Sequence, residues 1–211
     1  METNSPDSRY KSMKHYSVVF SEHLDLTLSN VLTDFQFPWK DQPAPSTEFR
    51  AVWNEEWMKF QFDVDDHDIV LNSSSDQDEA VLGSDRVELF FASSADLEQP
   101  YFGAEMDPRG WVYDYLATSY RQFDDSWTFP HLELAGRTYE DGYSVEGKFS
   151  LSMLRDLGCL ADGRMITGVY RAEFSHSESG VEENWISWVD PETETPDFHV
   201  PSSFGIFDFI R

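Results

Sequence analysis

The strongest constraint on the fold is the alternation of apolar and polar residues in the segment 57–64, which is strict from residue 58 onward. Side chains alternate between the two faces of a β-strand, so an apolar residue at every second position marks a strand with one buried face. The apolar residues of this segment share one face: Met58, Phe60, Phe62 and Val64. Lys59, Gln61 and Asp63 occupy the other face. The segment is therefore predicted to be a half-buried strand.

Eight further segments follow a similar pattern and are separated by turn residues. They are residues 47–53, 85–91, 101–106, 111–117, 131–139, 143–149, 165–174 and 204–210. Asp107-Pro108-Arg109-Gly110 and Asp141-Gly142 are typical of tight hairpin turns. Many short strands joined by such turns predict an all-β fold, namely an antiparallel β-sandwich of the immunoglobulin-like or jelly-roll-like kind.

One segment departs from the strand pattern. Residues 150–158, SLSMLRDLG, begin with a capping serine and end with a glycine, which predicts one short helix. Residues 65–83 are predicted to be a long polar loop, and residues 1–12 to be a disordered N-terminal segment. Because no linker interrupts the remainder, residues 13–211 are predicted to form a single domain.

The charge balance restricts the partners. The chain has 15 basic and 40 acidic residues, for a net charge of −25. Such a charge repels the phosphate backbone of nucleic acids and anionic membrane surfaces, so we expect neither as a partner. Neutral or cationic partners remain, and we expect a monomer. No stretch approaches the roughly 20 apolar residues of a membrane span.

Cysteine use and the N-terminus leave the compartment open. Cys159 is the single cysteine, so no intramolecular disulfide can form, and we expect a buried thiol. The first sixteen residues contain no apolar run of signal-peptide length. The alternatives are a cytoplasmic protein and an exported one whose signal peptide has been removed.

The segment NWISWVDPETETPDFHVPSSFG, residues 184–205, combines aromatic residues with three prolines. We interpret it as a stiffened loop that brings Phe198 and His199 to the mouth of the sandwich. The alternative is that both rings pack on the sandwich edge. Trp188 lies in an apolar run and is predicted to belong to the core.

Several motifs, read in order, carry a resemblance to a known family. They are EWMKFQFDVDD, SDRVELFFA, YFGAEMDPRGWVYD, GYSVEGKFS, ISWVDP and PSSFG. Their order over residues 39–211 resembles the family 9 carbohydrate-binding modules, which are β-sandwich domains attached to xylanases or free-standing. The resemblance implies non-catalytic binding of a plant or algal polysaccharide or oligosaccharide, including chain ends, in connection with carbohydrate catabolism.

The resemblance also implies a place for the sugar. In the family, two tryptophans hold a terminal sugar ring between them. The corresponding positions here are Leu82, three residues before Asp85, and Phe198, three residues before Pro201. One stacking ring is thus replaced by phenylalanine and the other by an aliphatic side chain, so weak sugar binding is expected.

Polar side chains are predicted to form the floor of this site. Glu88 matches a family carboxylate that hydrogen-bonds sugar hydroxyls, and alternation places Arg86 on the same face. Glu105 stands where the family has an asparagine. If the face of Arg171 lines the same concavity, then Glu88, Glu105 and Arg171 form a polar floor beneath Phe198. The alternative is that both glutamates are ordinary solvated strand residues.

An acidic stretch suggests a metal. Calcium takes six to eight oxygen ligands, and carboxylates and loop carbonyls can supply them. The candidate ligands are Asp65, Asp66, Asp76 and Asp85. Family members carry structural calcium near this region, although the EF-hand order of ligands is absent here. A merely solvated acidic loop is the alternative.

Two other functions compete with sugar binding. A glycosidase would need a carboxylate pair flanking the scissile bond, and forty acidic residues single out no such pair. A haem-binding relative would need axial ligands. The candidates for that role are Met58, Met106, His176 and His199, and no spacing singles out two of them. No catalytic residue is therefore predicted, and binding without catalysis is the favoured function.

Overall fold

The computed structural model describes residues 12–118 and 120–211. The predicted disordered segment lies outside this range except for residue 12. The described residues form fourteen strands. These are β1 His15–Phe20, β2 Val31–Leu32, β3 Thr47–Trp53, β4 Trp57–Asp65, β5 Arg86–Ala92, β6 Tyr101–Met106, β7 Val112–Thr118, β8 Gln122–Asp124, β9 Glu133–Thr138, β10 Gly142–Ser150, β11 Leu160–Ala161, β12 Arg164–Ser177, β13 Gly180–Ser187 and β14 Gly205–Ile210.

The strands form one continuous sheet in the order β8-β7-β6-β5-β12-β14-β1-β3-β4-β10-β9, with β11 and β13 paired to β12 and β2 paired to β3. The sheet curls until its halves face each other, and Phe91 of β5 packs against Phe149 of β10 with ring centroids 4.9 Å apart. The two halves are the layers of a β-sandwich, which confirms the predicted fold. Its strands are antiparallel except that β1 runs parallel to β14 and β3.

The main core lies between the two layers. Alternate residues of β4 face it, as predicted: Met58, Phe60, Phe62 and Val64. Trp188 is also buried in this core, which confirms its predicted place, and the Cys159 thiol is buried as expected. A smaller aromatic cluster lies on the opposite face of β5 and β12, where it contains Phe90 and Tyr170. Strands β5 and β12 are therefore covered on both faces.

Two short α-helices lie among the described residues, where the sequence predicted one. The predicted helix is α2, Leu151–Asp156, capped by Ser150. The second, α1, spans Gln77–Leu82 inside the stretch predicted to be a loop, and the Asp76 side chain caps it. Its sequence, QDEAVL, buries only two side chains, so no helical apolar period marks it.

Both predicted hairpin turns are confirmed. In the first, Gly110 has a φ of 80°, which glycine adopts without steric cost, and its N–H donates to the Asp107 carbonyl at 2.9 Å. This turn sets the register in which Met106 pairs with Val112. In the second, Gly142 begins β10 and pairs with β4.

Two long strands, β1 and β13, were not predicted from the sequence. Strand β13 pairs along β12 and includes the first four residues of the segment 184–205. That segment is therefore irregular only after Ser187, where a loop runs to β14 with one short 3-10 turn, Pro201–Ser203. Among the described residues, no helix has the length and apolarity needed to cross a membrane.

Candidate functional site

A pocket opens on the face of β5, β6 and β7 that is turned away from the main core. It encloses about 280 Å³. The end of α1, the turn between β7 and β8, strand β13 and the loop after β13 surround it. The lining residues are Leu82, Arg86, Glu88, Glu105, Tyr113, Tyr115, Arg121, Phe123, Trp185, Pro196, Asp197, Phe198 and His199.

The floor of the pocket is a buried network of Arg86, Glu88 and Glu105. Strand pairing places Glu88 directly opposite Glu105. The Arg86 Nε donates to Glu105 Oε2 at 2.7 Å and lies 3.1 Å from Glu88 Oε1. Glu88 is 2% exposed and Glu105 is 5% exposed. The alternative that these glutamates are solvated strand residues is therefore wrong.

The floor carries two carboxyl groups against one guanidinium. Burial, and then the charge of Glu105, raise the pKa of the Glu88 carboxyl to about 8. Burial would lower the pKa of Arg86, but the carboxylates of Glu105 and Glu88 outweigh it and raise that pKa. Glu88 Oε1 is buried without a hydrogen-bond partner. A buried polar atom normally has a hydrogen-bond partner, so this oxygen is an acceptor that the protein groups around it leave unsatisfied.

Two glycines let tyrosine rings lie across the floor. A Cβ on Gly103 would approach the Tyr115 ring to 2.3 Å, and a Cβ on Gly168 would approach the Tyr170 hydroxyl to 2.1 Å. The Tyr115 hydroxyl donates to Glu105 Oε1 at 3.2 Å. Gly103 therefore makes room for Tyr115, which lines the pocket and orients Glu105, whereas Gly168 makes room for Tyr170, which packs behind Phe198.

Phe198 forms one wall but is not a free stacking platform. Its ring stacks on Tyr170 at 4.2 Å between centroids and 10° between planes. Trp39 and Trp185 also pack against it, at 5.8 Å and 6.0 Å. Phe198 is 6% exposed, so most of its surface is committed to the protein. The loop after β13 thus delivers Phe198 to the pocket, as interpreted from the sequence, and also packs it tightly.

His199 lies beside the same wall. Its Nδ1 is 2.9 Å from the Tyr101 hydroxyl, and its backbone N–H donates to Asp197 Oδ1 at 2.9 Å. Burial, with a smaller contribution from the charge of Arg121, lowers the pKa of His199 to about 4. The imidazole is therefore neutral near pH 7 and can donate or accept one hydrogen bond, but it adds no positive charge to the pocket.

The rim carries the exposed apolar side chains. Leu82 and Phe123 are each 40% exposed. Trp185 is half-buried, and the Arg86 guanidinium lies 5.3 Å from its ring centroid. Sugar rings have apolar C–H faces that pack against aromatic rings and hydroxyl groups that need polar partners. A rim of rings above a buried polar floor meets both needs.

Six of the seven predicted ligand-binding residues line this pocket: Leu82, Arg86, Glu88, Glu105, Phe198 and His199. Arg171 does not, so its predicted place in the floor is wrong. It lies on the opposite face of β12 and reaches the other layer, where it donates to the Ser46 carbonyl at 3.2 Å and the Asp65 carbonyl at 3.0 Å. Arg86, one strand away, supplies the guanidinium of the floor.

Sequence reasoning missed part of the lining: Tyr113, Tyr115, Arg121, Phe123, Trp185, Pro196 and Asp197. A signal existed for the first two. The hairpin turn at Asp107–Gly110 sets the β6–β7 register, which places Tyr113 opposite Glu105. No comparable signal marked Arg121 or Phe123, since they depend on the three-residue strand β8.

The sequence profile of the "Carbohydrate family 9 binding domain-like" family matches residues 17–210. The chain belongs to this family. The family fold accounts for the curled sandwich and for the order of motifs in the sequence. Among curated protein sequences, none matches the chain significantly.

Solved structures share the fold at low sequence identity. A proposed carbohydrate-binding protein from Bacteroides uniformis ATCC 8492 superposes with a TM-score of 0.65 at 18% identity, covering 94% of this chain and all of the other. A family 9 carbohydrate-binding module from Caldicellulosiruptor kristjanssonii in complex with glucose has a TM-score of 0.60 at 15% identity, covering 94% and 96%. Its complex with cellotriose gives 0.60 at 14%, covering 93% and 94%.

An acidic cluster lies on the core side of the sheet, on the face of β12 that is turned away from the pocket. Oxygen atoms of Asp66, Asp85 and Glu173 lie within 4.8 Å of one another. Two of the predicted calcium ligands are thus together, joined by a residue that was not predicted. The Asp65 carboxylate is exposed and Asp76 caps α1, so neither belongs to this group.

The donor set of the cluster fits a hard cation. Asp66 Oδ2 is buried without a hydrogen-bond partner. Burial is the main cause that raises the pKa of Asp85 to about 8 and that of Glu173 to about 7. The Arg171 guanidinium pairs with Glu173 and lies 3.7 Å from Asp66 Oδ2, so one positive charge faces three carboxyl groups. A cation would offset the remaining charge.

The four candidate axial ligands of a haem lie in different parts of the fold. Met58 and Met106 are buried in the main core. His199 lines the pocket on the opposite face of the sheet, and His176 is exposed and bonded to Asp68. The described residues therefore provide no Met–His pair around a common cavity.

Proposed function

We propose that this chain binds carbohydrate without catalysing a reaction on it, and that one sugar ring occupies the pocket above Arg86, Glu88 and Glu105. The observation that carries the proposal is the unpartnered Glu88 Oε1 at the floor of an aromatic-rimmed pocket in a family 9 fold. A volume of about 280 Å³ lies just below the roughly 300–1,000 Å³ that is usual for small-molecule pockets. It suits a terminal ring better than a long segment of chain.

The ligand class follows from charge and from relatives. The net charge of −25 disfavours polyanionic chains such as those rich in uronic acids. The Caldicellulosiruptor module was solved with glucose and with cellotriose, which supports a sugar ring as the occupant here. We infer that plant or algal polysaccharides or oligosaccharides, held at a chain end, are the ligands.

The arrangement of carboxyl groups argues against a glycosidase. A glycosidase needs an acid and a nucleophile or base that flank the scissile bond. Glu88 and Glu105 instead lie side by side on the floor and share the Arg86 Nε. Glu105 also accepts the Tyr115 hydroxyl hydrogen bond, which commits it to holding the floor. This arrangement supports a role for Glu88 in hydrogen-bonding a ring rather than in cleaving a bond.

A glycan array with the purified protein tests the proposed function. We expect selective binding to neutral glycans with accessible chain ends, with weak affinity because Leu82 replaces one stacking ring. Free monosaccharide of the terminal residue should compete. An array without binding to any glycan, with the protein shown to be folded by circular dichroism, would contradict the proposal.

We also propose that Asp66, Asp85 and Glu173 bind one calcium ion that stabilises the fold. Carboxylate oxygens are the ligands that calcium prefers. The buried, unpartnered Asp66 Oδ2 and the raised pKa values of Asp85 and Glu173 support the proposal. In this role the ion joins the loop after β4 to the start of β5 and to β12, away from the sugar pocket.

A further inference from the structure

We propose that the pocket prefers an amino sugar, a ring that carries a protonated amine, over the corresponding neutral sugar, and that Glu88 is the residue that selects it. The inference rests on the proposed function and names the class of sugar that the same site takes. It depends on three features: the free oxygen of Glu88, the commitment of Arg86 to other partners, and the aromatic walls.

The first feature is an excess of acceptors over donors on the floor. Arg86 Nε donates to Glu105 Oε2 at 2.7 Å, and Arg86 Nη1 donates to the Leu82 carbonyl at 3.0 Å. A longer bond of 3.4 Å joins Nη1 to the Ser84 carbonyl. Glu88 Oε1 lies 3.1 Å from the same Nε without forming a hydrogen bond. The floor is therefore short of one donor, and a ligand that brings one satisfies it.

The second feature is the charge of the floor. When a ligand displaces the Glu88 proton, two negative charges face the single charge of Arg86. An ammonium group is the ligand group that supplies both the missing charge and a donor, and charge-assisted hydrogen bonds are about twice as strong as neutral ones. A sugar carboxylate would add a third negative charge beside Glu88 and Glu105, which disfavours acidic sugars.

The third feature is the wall of rings around the floor. Tyr113, Tyr115, Phe123 and Trp185 all line the pocket. The faces of aromatic rings attract cations that come within about 6 Å of the ring centroid. The remaining charged groups are Arg121 and Asp197 at the rim, of opposite sign, while His199 is neutral near pH 7. They add no net charge to the pocket, so only the ligand can balance the charge of Glu88 once that carboxyl is ionised.

Binding of an amino sugar should change the number of protons bound by the protein and ligand together, and this change can be measured. Because the pKa of Glu88 is raised to about 8, its carboxyl group is largely protonated at pH 7 in the free protein. Before binding, the Glu88 carboxyl group holds one proton and the ammonium group of the sugar holds a second. In the ammonium–carboxylate pair the sugar keeps its proton and Glu88 loses its own. About one proton is therefore released to the buffer when the amino sugar binds. A neutral sugar retains the Glu88 proton and releases none.

Isothermal titration calorimetry at pH 7 tests the inference with glucose, glucosamine and N-acetylglucosamine. N-acetylglucosamine matches glucosamine in its substituted position but lacks the charge. Titrations in two buffers of different ionisation enthalpy give the number of protons released. We expect glucosamine to bind roughly fivefold to tenfold more tightly than either neutral sugar. Only glucosamine should release about one proton.

The variant Glu88→Gln retains the shape of the side chain and removes its charge. It should abolish both the advantage of glucosamine and the proton release. Glu133→Gln, at an exposed position of β9 where the side chain pairs with Lys148, is the matched control and should leave both unchanged. If Glu88→Gln does not fold, the affinities of the unaltered protein for glucosamine and N-acetylglucosamine still decide whether the pocket prefers an amino sugar.

The outcomes separate this inference from the proposed function. Equal affinities for the three sugars would overturn the amino-sugar preference and leave carbohydrate binding standing. The same holds if none of the three binds while the glycan array shows another ligand. If neither the titrations nor the array detects any sugar, the inference and the proposed function both fail.

Discussion

At the scale of single residues, the two sides of the pocket differ in what they offer a sugar. Phe198 is packed against Tyr170 on one ring face and is 6% exposed. Leu82 and Phe123 are each 40% exposed at the rim. The accessible apolar surface is therefore at the rim, and the role of Phe198 as a stacking ring stays a prediction. Changes at the rim alter ligand contacts with the least effect on packing.

Leu82→Trp should tighten sugar binding. A ring at this position gives the sugar a second stacking partner, and an aromatic contact worth about 0.5–1.5 kcal/mol lowers the dissociation constant by up to about tenfold. Titration calorimetry with the best array ligand measures the change. Leu71→Trp is the matched control, because Leu71 is also 40% exposed but does not line the pocket. Equal effects of the two variants would contradict the predicted stacking position.

Gly103→Ala should destabilise the protein and weaken binding together. The added Cβ would lie 2.3 Å from the Tyr115 ring, so the ring must move off β6. Overpacking of this kind costs about 1–3 kcal/mol, which urea unfolding can measure. In a Tyr115→Ala background the same substitution should cost clearly less, since the clashing ring is gone. An undiminished cost there would mean that the strain has another source.

At the level of secondary-structure elements, the alternation of apolar and polar residues located the strands, but it did not show which face of a fully buried strand meets the pocket. It identified nine strands and the buried face of β4: β3, β4, β5, β6, β7, β9, β10, β12 and β14. It failed at β12, where Arg171 was assigned to the pocket face. Strand β5 is buried at every residue and β12 at most of them, so burial no longer distinguishes the core face from the pocket face. Which face meets which layer depends on how the sheet curls, and no local pattern records that.

The acidic cluster predicts a specific pH dependence of stability. The folded-state pKa values of Asp85 and Glu173, about 8 and about 7, exceed their ordinary values of 3.8 and 4.5. Their contribution to stability is therefore full below about pH 4 and is lost as pH rises through 7 and 8. In chelator, the melting temperature should fall between pH 6.5 and 8.5. His199 does not contribute to this fall, because its pKa is lowered from 6.5 to about 4. Its contribution to stability rises with pH, and only between about pH 4 and pH 6.5.

Calcium should reverse that loss. A ligand that binds only the folded state raises the free energy of unfolding by about 2.7 kcal/mol when its concentration is about 100 times its dissociation constant. For a chain of this size, that corresponds to roughly 5–10 °C in melting temperature. Differential scanning calorimetry at pH 8 with chelator and with millimolar calcium measures the shift. Asp66→Asn should abolish it, whereas Asp76→Asn should not, because Asp76 lies outside the cluster. An unchanged melting temperature would show that the cluster binds no calcium.

At the scale of the whole molecule, the order of motifs predicted the family and the sandwich, whereas the pocket was predicted only in part. Glu88 and Glu105 were found because a known motif and strand alternation both pointed to them. Phe123 and Arg121 were missed because a three-residue strand has no readable period. The predictions of a single domain, a monomer and no nucleic-acid partner stay predictions.

The whole molecule should lack glycosidase activity. Glu88 and Glu105 share one guanidinium on the floor of the pocket, so these two carboxyl groups do not flank a bond as an acid and a nucleophile would. Chromogenic xylosides, glucosides and galactosides incubated with the purified protein should release no product above the rate in buffer. Product release that Glu88→Gln abolishes would establish an enzyme instead.

Sugar binding at this pocket is tested most directly by the affinity of the best array ligand for three proteins: the unaltered chain, Phe123→Ala and Trp111→Ala. Phe123 and Trp111 are each 40% exposed, but only Phe123 lines the pocket. If a sugar ring occupies this pocket, Phe123→Ala should raise the dissociation constant by roughly threefold to tenfold, and Trp111→Ala should leave it unchanged. An unchanged dissociation constant for Phe123→Ala, with loss of binding in Trp111→Ala, would place the sugar elsewhere and contradict the account.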